Sequence, residues 1–226
     1  HHPPSAGRGY AGEIAIMTEL ILALDVTDHD QALAIAGACA PHIDGIKVGY
    51  PLVLACGLGI VQEFVSFGLP LIADFKVADI PNTNRLICEQ VFAAGVDAII
   101  AHGFPGRDSI RACVETAHDR EGACYVVAEM SHPGAVEFFQ GVSERIALLA
   151  VSCGADGIIA PATRPDRVQC LRSIVGTRRI YAPGIGAQGG DLEEVAPLVD
   201  GVIVGRAIYG AADPVEAARR FTSIRR

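Results

Sequence analysis

The chain has 226 residues, 50% of them hydrophobic, with 26 acidic against 18 basic side chains and a formal net charge of −8. That length and apolar content allow one domain with a large core, and the acidic balance excludes a general nucleic-acid binder, which needs a basic face. No apolar run approaches the roughly 18 residues of a membrane span, and the seven scattered cysteines, with no C-x-x-C pair, read as reduced thiols of a cytoplasmic protein.

Residues 1–16, HHPPSAGRGYAGEIAI, open on two histidines and show no periodicity. They are expected to be a tag remnant or a disordered leader outside the fold, with Met17 as the natural start. Glu13 and Glu19 interrupt the apolar stretch that a signal peptide would need. Over residues 17–226 a short β-prone run then recurs. The runs are LILALDV (20–26), GIKVGY (45–50), LIADFK (71–76) and DAIIAHG (97–103), followed by CYVVAEM (124–130), GIIAPA (157–162), RIYAPG (179–184) and GVIVGR (201–206). Each is too short and too continuously apolar for a surface helix, and fits a strand covered on both faces. Between them lie segments of helical spacing. In DHDQALAIAGACAP, Asp28 or Asp30 suits the helix N-terminus, and in GRDSIRACVETAHD, Asp108 lies early. Strand–helix units repeating at roughly 25-residue steps imply parallel strands joined by crossovers. Eight of them in one α/β domain favour a closed (β/α)8 TIM barrel over an open doubly wound sheet. The first strand also runs into ALDVTDHD, with none of the glycines of a dinucleotide fingerprint.

Chemistry on such a barrel sits at the C-terminal ends of the strands. There the sequence gathers Asp25 on strand 1, Lys47 on strand 2, Asp74 and Lys76 on strand 3 with Asp79 just beyond, and Met130 and Ser131 after strand 5. Asp74 and Lys76 are two apart and so share a face of an extended strand. One such pair is readily a structural salt bridge. All these charges together are not, since apolar side chains would plug a barrel at lower cost. Their alternating signs keep each lysine and each carboxylate charged through its neighbours.

A second cluster lies near the end of the chain. PGIGAQGGD (183–191) is a glycine-rich loop after strand 7, and GRAIYGAADP (205–214) begins with Gly205 and Arg206 at the end of strand 8. Loops in these places hold a phosphate through backbone N–H groups and a helix N-terminus, and Arg206 offers a fork of donors. The plainer reading is loop glycines and a surface arginine. His102 and His132, after strands 4 and 5, lack ligand-spaced partners and read as packing or loop histidines, so no metal site is expected. SHPGAVEFFQG (131–141) is either a lid over a ligand or a long packed loop. Arg164, in PATRPDR, either faces the mouth or is solvated.

Together, LALDV, IKVGYP, DFKVADIPNTN, EMSHPGA, PGIGAQGGD and VGRAIY resemble the orotidine 5′-monophosphate decarboxylase family in its short archaeal form. The resemblance covers essentially everything from Met17 onward, and its Asp-x-Lys-x-x-Asp-Ile-Pro-x-Thr string is highly specific. It implies a carboxy-lyase of pyrimidine biosynthesis that converts orotidine monophosphate to uridine monophosphate and carbon dioxide, with no cofactor and no metal. Lys47, Asp74, Lys76 and Asp79 would form the catalytic charged array, with Lys76 the proton donor to C6 and Asp74 beside the substrate carboxylate. Asp25 and Lys47 would contact the ribose hydroxyls and Ser131 the pyrimidine, while Pro183, Gln188, Gly205 and Arg206 would hold the phosphate. Asp79 and Thr83 match positions that reach the neighbouring subunit's site, which implies a homodimer. No nucleic-acid or membrane partner is implied.

Two other readings stand beside it. Sugar-phosphate decarboxylases or aldolases of the same barrel group share the Asp-x-Lys-x-x-Asp string but generally need Mg²⁺, with an acidic residue where strand 2 here carries Lys47. A barrel that only binds nucleotides, or serves in assembly, would have no need of Lys76 between two carboxylates. For Asp79 a plainer role is also open, that of capping the helix which follows it in its own subunit.

Overall fold

The computed structural model of the chain describes residues 17–224; the expected leader, 1–16, lies outside the described residues. Eight parallel strands close into a barrel in sequence order: β1 (Glu19–Ala23), β2 (Gly45–Gly49), β3 (Leu71–Val77), β4 (Ala98–His102), β5 (Ala123–Val127), β6 (Gly157–Ile159), β7 (Arg179–Pro183) and β8 (Gly201–Val204). β8 pairs back onto β1 with Leu20 opposite Val202. The strands are short and rich in Ile, Val and Ala because both faces are covered, one by the barrel interior and one by helices. β2 and β8 are buried at every position.

The helices are α1 (His29–Cys39), α2 (Tyr50–Cys56), α3 (Ile60–Val65), α4 (Pro81–Ala93), α5 (Arg107–Asp119), α6 (Phe139–Ser152), α7 (Pro165–Val175), α8 (Leu192–Val195), α9 (Arg206–Tyr209) and α10 (Pro214–Ile224). Asp28 caps α1 by accepting from the Gln31 N–H at 2.8 Å, while Asp30 and Asp108 sit in the first turns of α1 and α5. No helix among the described residues is long and apolar enough to cross a membrane. All seven cysteines are free thiols.

Two details differ from the sequence reading. The β2–β3 crossover holds two short helices, α2 and α3, separated around Gly57 and Gly59. The apolar runs of strands 5 and 6 also outlast their ladders, which end at Val127 and Ile159. Beyond those points the chains exchange single hydrogen bonds, Ala128 N–H to Ile159 O and Ala160 N–H to Tyr181 O, at 3.1 Å each. Burial thus continues past the regular pairing, and apolar patterning alone cannot mark where a ladder stops.

The N-terminal end of the barrel is filled by Tyr125 and Tyr181, whose rings meet edge to face at 4.9 Å. The Tyr181 hydroxyl donates to Glu19 at 2.8 Å, and Arg179 pairs with the same carboxylate at 2.8 Å. Glu19 and Arg179 begin their strands, so this polar closure stands at the end opposite the mouth, where it serves stability rather than chemistry.

The close pairing of β6 with β7 depends on a missing side chain. A Cβ at Gly157 would lie 2.1 Å from the Arg179 carbonyl oxygen, a backbone atom that cannot swing aside. Gly157→Ala is therefore expected to destabilise the fold by about 3 kcal/mol, read as a lower urea midpoint at unchanged m-value. An unaltered midpoint would show that the two strands separate at no cost.

Candidate active site

The site begins with an irregularity in β3. Against β4, the stretch from Ala73 to Val77 spans only the interval from Ile99 to Ala101, so β3 bulges. Within the bulge Lys76 adopts φ 41°, a left-handed conformation seldom used by residues other than glycine. The bulge is held by Tyr50, the first residue of α2. Its hydroxyl donates to the Phe75 carbonyl at 2.6 Å, and its ring stacks on Phe75 at 5.1 Å. Asp74 and Lys76 do share a face, as their spacing suggests, but through a strained bulge rather than a regular strand.

On that face the charges interlock. Lys47 donates to Asp74 Oδ2 at 2.5 Å, and Lys76 donates to Oδ1 at 2.9 Å and Oδ2 at 3.1 Å. The side chains of Lys47 and Asp74 are 9% and 11% exposed, against 38% for Lys76, so the Lys76 amine is the accessible end of the array. Burial pushes the Asp74 carboxyl up, but the two ammonium groups outweigh burial and hold it below the usual carboxylate range.

The array opens into a cavity of about 880 Å³. Asp25, Lys47, Asp74 and Lys76 contribute its charged side, and Ile100, Val127, Ile159 and Ile203 its apolar lining. Ser131, Pro183, Gln188 and Arg206 complete it. Ser131 Oγ donates to Gln188 Oε1 at 2.6 Å, joining the loops after β5 and β7. Gly184 permits that approach: at φ 102°, any Cβ would meet Ser131 and Thr163 at 3.1–3.2 Å. Three successive carbonyls are held from the start of α7. Arg164 donates to Met130 O at 2.7 Å and His132 O at 2.9 Å, and Thr163 Oγ1 donates to Ser131 O at 2.9 Å. Arg164 is thus a clamp at the mouth, not a solvated arginine. The segment 131–141 contains a 3₁₀ turn, Pro133–Glu137, and enters α6 at Phe139; it is mostly exposed, with Ala135 and Phe139 buried.

Asp79, Thr83 and Gly205 do not line this cavity. Gly205 is the residue before α9 and lies beside Ala23 and Tyr209. Thr83 is in the first turn of α4. Asp79 Oδ1 accepts from the Ile80 N–H at 2.7 Å, and no side chain caps α4, so the capping role open to Asp79 is not filled. His102 packs against Phe104 and Phe139 and accepts from the Phe104 N–H at 3.1 Å. Burial first, and Lys76 second, lower its pKa and keep the ring neutral. His132 lines the main cavity. Among the described residues no cluster of three His, Cys, Asp or Glu is arranged for a metal ion.

Sequence reasoning passed over two residues at this site. Tyr50 closes the strand-2 run GIKVGY in the sequence, with no pattern to link it to Phe75. Glu129, fully buried, lines the cavity and receives Arg167 Nε at 3.1 Å, while its Oε1 has no hydrogen-bond partner among the described residues. An acidic residue ending an otherwise apolar run was the available signal for it.

The family model described as "Orotidine 5'-phosphate decarboxylase / HUMPS family" matches residues 18–221. The chain is 57% identical to the orotidine 5′-phosphate decarboxylase of Methanosarcina barkeri over 206 residues, 90% of this chain and 93% of that protein. It is 52% identical to that of Thermococcus kodakarensis over 207 residues, 90% of this chain and 95% of that one. Among solved structures it is similar to orotidine 5′-monophosphate decarboxylase from Methanocaldococcus jannaschii complexed with the inhibitor BMP. There the TM-score is 0.90 at 42% identity, covering 92% of this chain and 99% of that one.

The depressed Asp74 pKa has a signed consequence. A carboxylate whose folded pKa lies below its unfolded value adds stability above the unfolded pKa, and that stability is lost as pH falls through the folded one. Asp74→Asn, which leaves Lys47 buried without its anion, is expected to cost about 3 kcal/mol at neutral pH. The gap to the unaltered chain should narrow on acidification below the ordinary aspartate value of about 3.9. Urea unfolding across pH measures both, and a gap independent of pH would show that Asp74 is not ionised in the fold.

Proposed function

The chain belongs to the orotidine 5′-phosphate decarboxylase / HUMPS family, and on that premise we propose how its own residues carry out the decarboxylation of orotidine 5′-monophosphate. The products are uridine 5′-monophosphate and carbon dioxide, the reaction of a carboxy-lyase in pyrimidine biosynthesis. The observation that carries the reading is the Asp74 carboxylate held between Lys47 and Lys76 beside an apolar lining. The family name spans more than one activity, and Lys47 favours this one. Its ammonium, 2.5 Å from Asp74, occupies the side of the carboxylate that a divalent cation would need.

Loss of carbon dioxide breaks the bond from C6 to the carboxylate and leaves the electron pair on C6, with no neighbouring π system to absorb it. The Lys76 ammonium, tied to Asp74 at 2.9 Å at the cavity wall, is the group we assign to that developing charge. It stabilises the carbanion and then delivers its proton to C6, becoming a neutral amine. Asp74, beside the departing carboxylate, repels it. At about 4 Å and an effective dielectric near 20, one such contact is worth about 4 kcal/mol. Enzymatic barrier reductions run to roughly 23 kcal/mol, so carbanion stabilisation must supply the larger share. Asp25 and Lys47 would meet the ribose hydroxyls and Ser131 the pyrimidine. Arg206, Gln188 and the backbone from Pro183 through the glycine loop, with Gly205, would take the phosphate, whose binding energy positions the ring.

A homodimer with shared sites accounts for the residues outside the cavity. Asp79 and Thr83 do not line it; Ala78, just before them, borders a second hollow together with Phe104 and Phe138, which are 55% and 69% exposed. Exposed apolar groups gathered in this way mark an interaction surface. In a C₂ pair the same patch is used twice, and each Asp79 and Thr83 would reach the partner's cavity. A cytoplasmic location accords with the free state of every cysteine.

Orotidine monophosphate turnover, followed by ultraviolet absorbance, is expected to be unaffected by a chelator. Lys76→Ala should lower it by at least about 10⁴-fold in a folded protein; near-wild-type turnover would remove Lys76 from the mechanism. Subunit exchange tests the shared site. Asp79→Ala and Lys76→Ala homodimers should each be nearly inactive, whereas each mixed dimer has one site with both lesions and one with neither. A 1:1 exchanged mixture should therefore recover about a quarter of the unaltered activity. Activity that stays at the level of the parents after demonstrated exchange would place Asp79 in its own subunit's site.

A further inference from the structure

Asp79 makes no wall of its own subunit's cavity, yet its main chain is held on both sides by two buried side chains. Asn84, in the first turns of α4 and fully buried, accepts from the Asp79 N–H through Oδ1 at 2.8 Å. Its Nδ2 donates to Ser109 of α5 twice, to the carbonyl at 3.0 Å and to the hydroxyl at 2.8 Å. Ser109, 3% exposed, returns its own hydroxyl hydrogen to the Asp79 carbonyl at 2.8 Å. The ring is closed: the N–H and C=O of Asp79 are both taken, and all three side-chain polar atoms involved are satisfied.

Such a ring is not the cheapest way to pack α4 against α5. A buried amide and hydroxyl must be desolvated, whereas an apolar pair would fill the same place without that cost. A fully satisfied polar network fixes one geometry more sharply than apolar contact does. Here the geometry fixed is that of a single turn, from Ala78 at the end of the β3 bulge to Pro81 at the start of α4. The anchor is α5, which contributes nothing to the cavity.

We propose that Asn84 and Ser109 are positioning residues that hold the Asp79–Thr83 turn in place for the opposite subunit's active site. The inference rests on the shared-site reading above. A misplacement of about 1 Å in a catalytic group costs on the order of 100-fold, which sets the scale of the expected defect. It also sets its location: the damage should appear in the partner's barrel, not in the barrel that carries the substitution. A merely structural role predicts the reverse.

The test is complementation in the full-length dimer. Asn84→Ala is expected to lower kcat/KM on the order of 100-fold. Ser109→Ala should show the same pattern to a lesser degree, because the Ser109 carbonyl still receives Asn84. After exchange with Lys76→Ala subunits, each mixed dimer has one barrel that keeps Lys76 and receives Asp79 from a subunit with Asn84 and Ser109 intact. A 1:1 mixture of either variant should then recover about a quarter of the unaltered activity. Asp79→Ala mixed with Lys76→Ala is the reference, and failure to recover there rejects the shared site itself. Recovery in the reference but not with Asn84→Ala overturns the positioning role. If Asn84→Ala does not fold, Ser109→Ala decides alone, and either unchanged kcat/KM or absent recovery in that variant overturns it.

Discussion

The site depends on one ionic contact, the Asp74 carboxylate between two ammonium groups. Removing a carboxylate from water costs several kcal/mol, and only close, well-aligned cations offset it. Lys47 supplies one from the neighbouring strand, almost wholly buried. Lys76 supplies the other from the same strand, and to do so its backbone leaves the extended region for φ 41°. Strain of that kind persists only where the surroundings over-determine it. Here the surroundings are the Tyr50 hydroxyl on the Phe75 carbonyl and the stack of their rings. The β3 bulge and the Lys76–Asp74 contact thus occur together, in one strained stretch of strand.

The barrel divides its labour along its axis. At the N-terminal end, Tyr125 and Tyr181 with the Glu19–Arg179 pair close the interior. At the C-terminal end the walls turn polar, and several of the segments there are tied by neighbours from other elements. Thr163 and Arg164 hold the carbonyls that flank Ser131, and Ser131 in turn meets Gln188. Asn84 and Ser109 hold Asp79. Under the proposed mechanism, donors must already be in place when the charge appears, and these contacts tie the loops after β3 and β5 to α4, α5 and the start of α7.

Much of this was determined by the sequence alone. Eight apolar runs at a regular step favour a closed parallel barrel with helices outside over an open doubly wound sheet, and in such a barrel the charges at the run ends gather at its mouth. Asp74 and Lys76 of the Asp-x-Lys-x-x-Asp string, Gln188 of the glycine loop and the strand-8 Arg206 do line one cavity, whereas Asp79 does not; of the two cap candidates for α1, Asp28 or Asp30, the structure uses Asp28. Only the tertiary structure decided the rest. Glu129 was hidden in an apolar run, and its partner Arg167 is remote in sequence. Arg164 left two roles open that no local pattern could separate. The bulge at Lys76, the Tyr50 support and the Asn84–Ser109 ring each join segments whose meeting depends on strand register and helix packing. The reason is physical: burial and periodicity are written locally, residue by residue, whereas a hydrogen bond between distant segments exists only once the whole barrel has closed and set its distance.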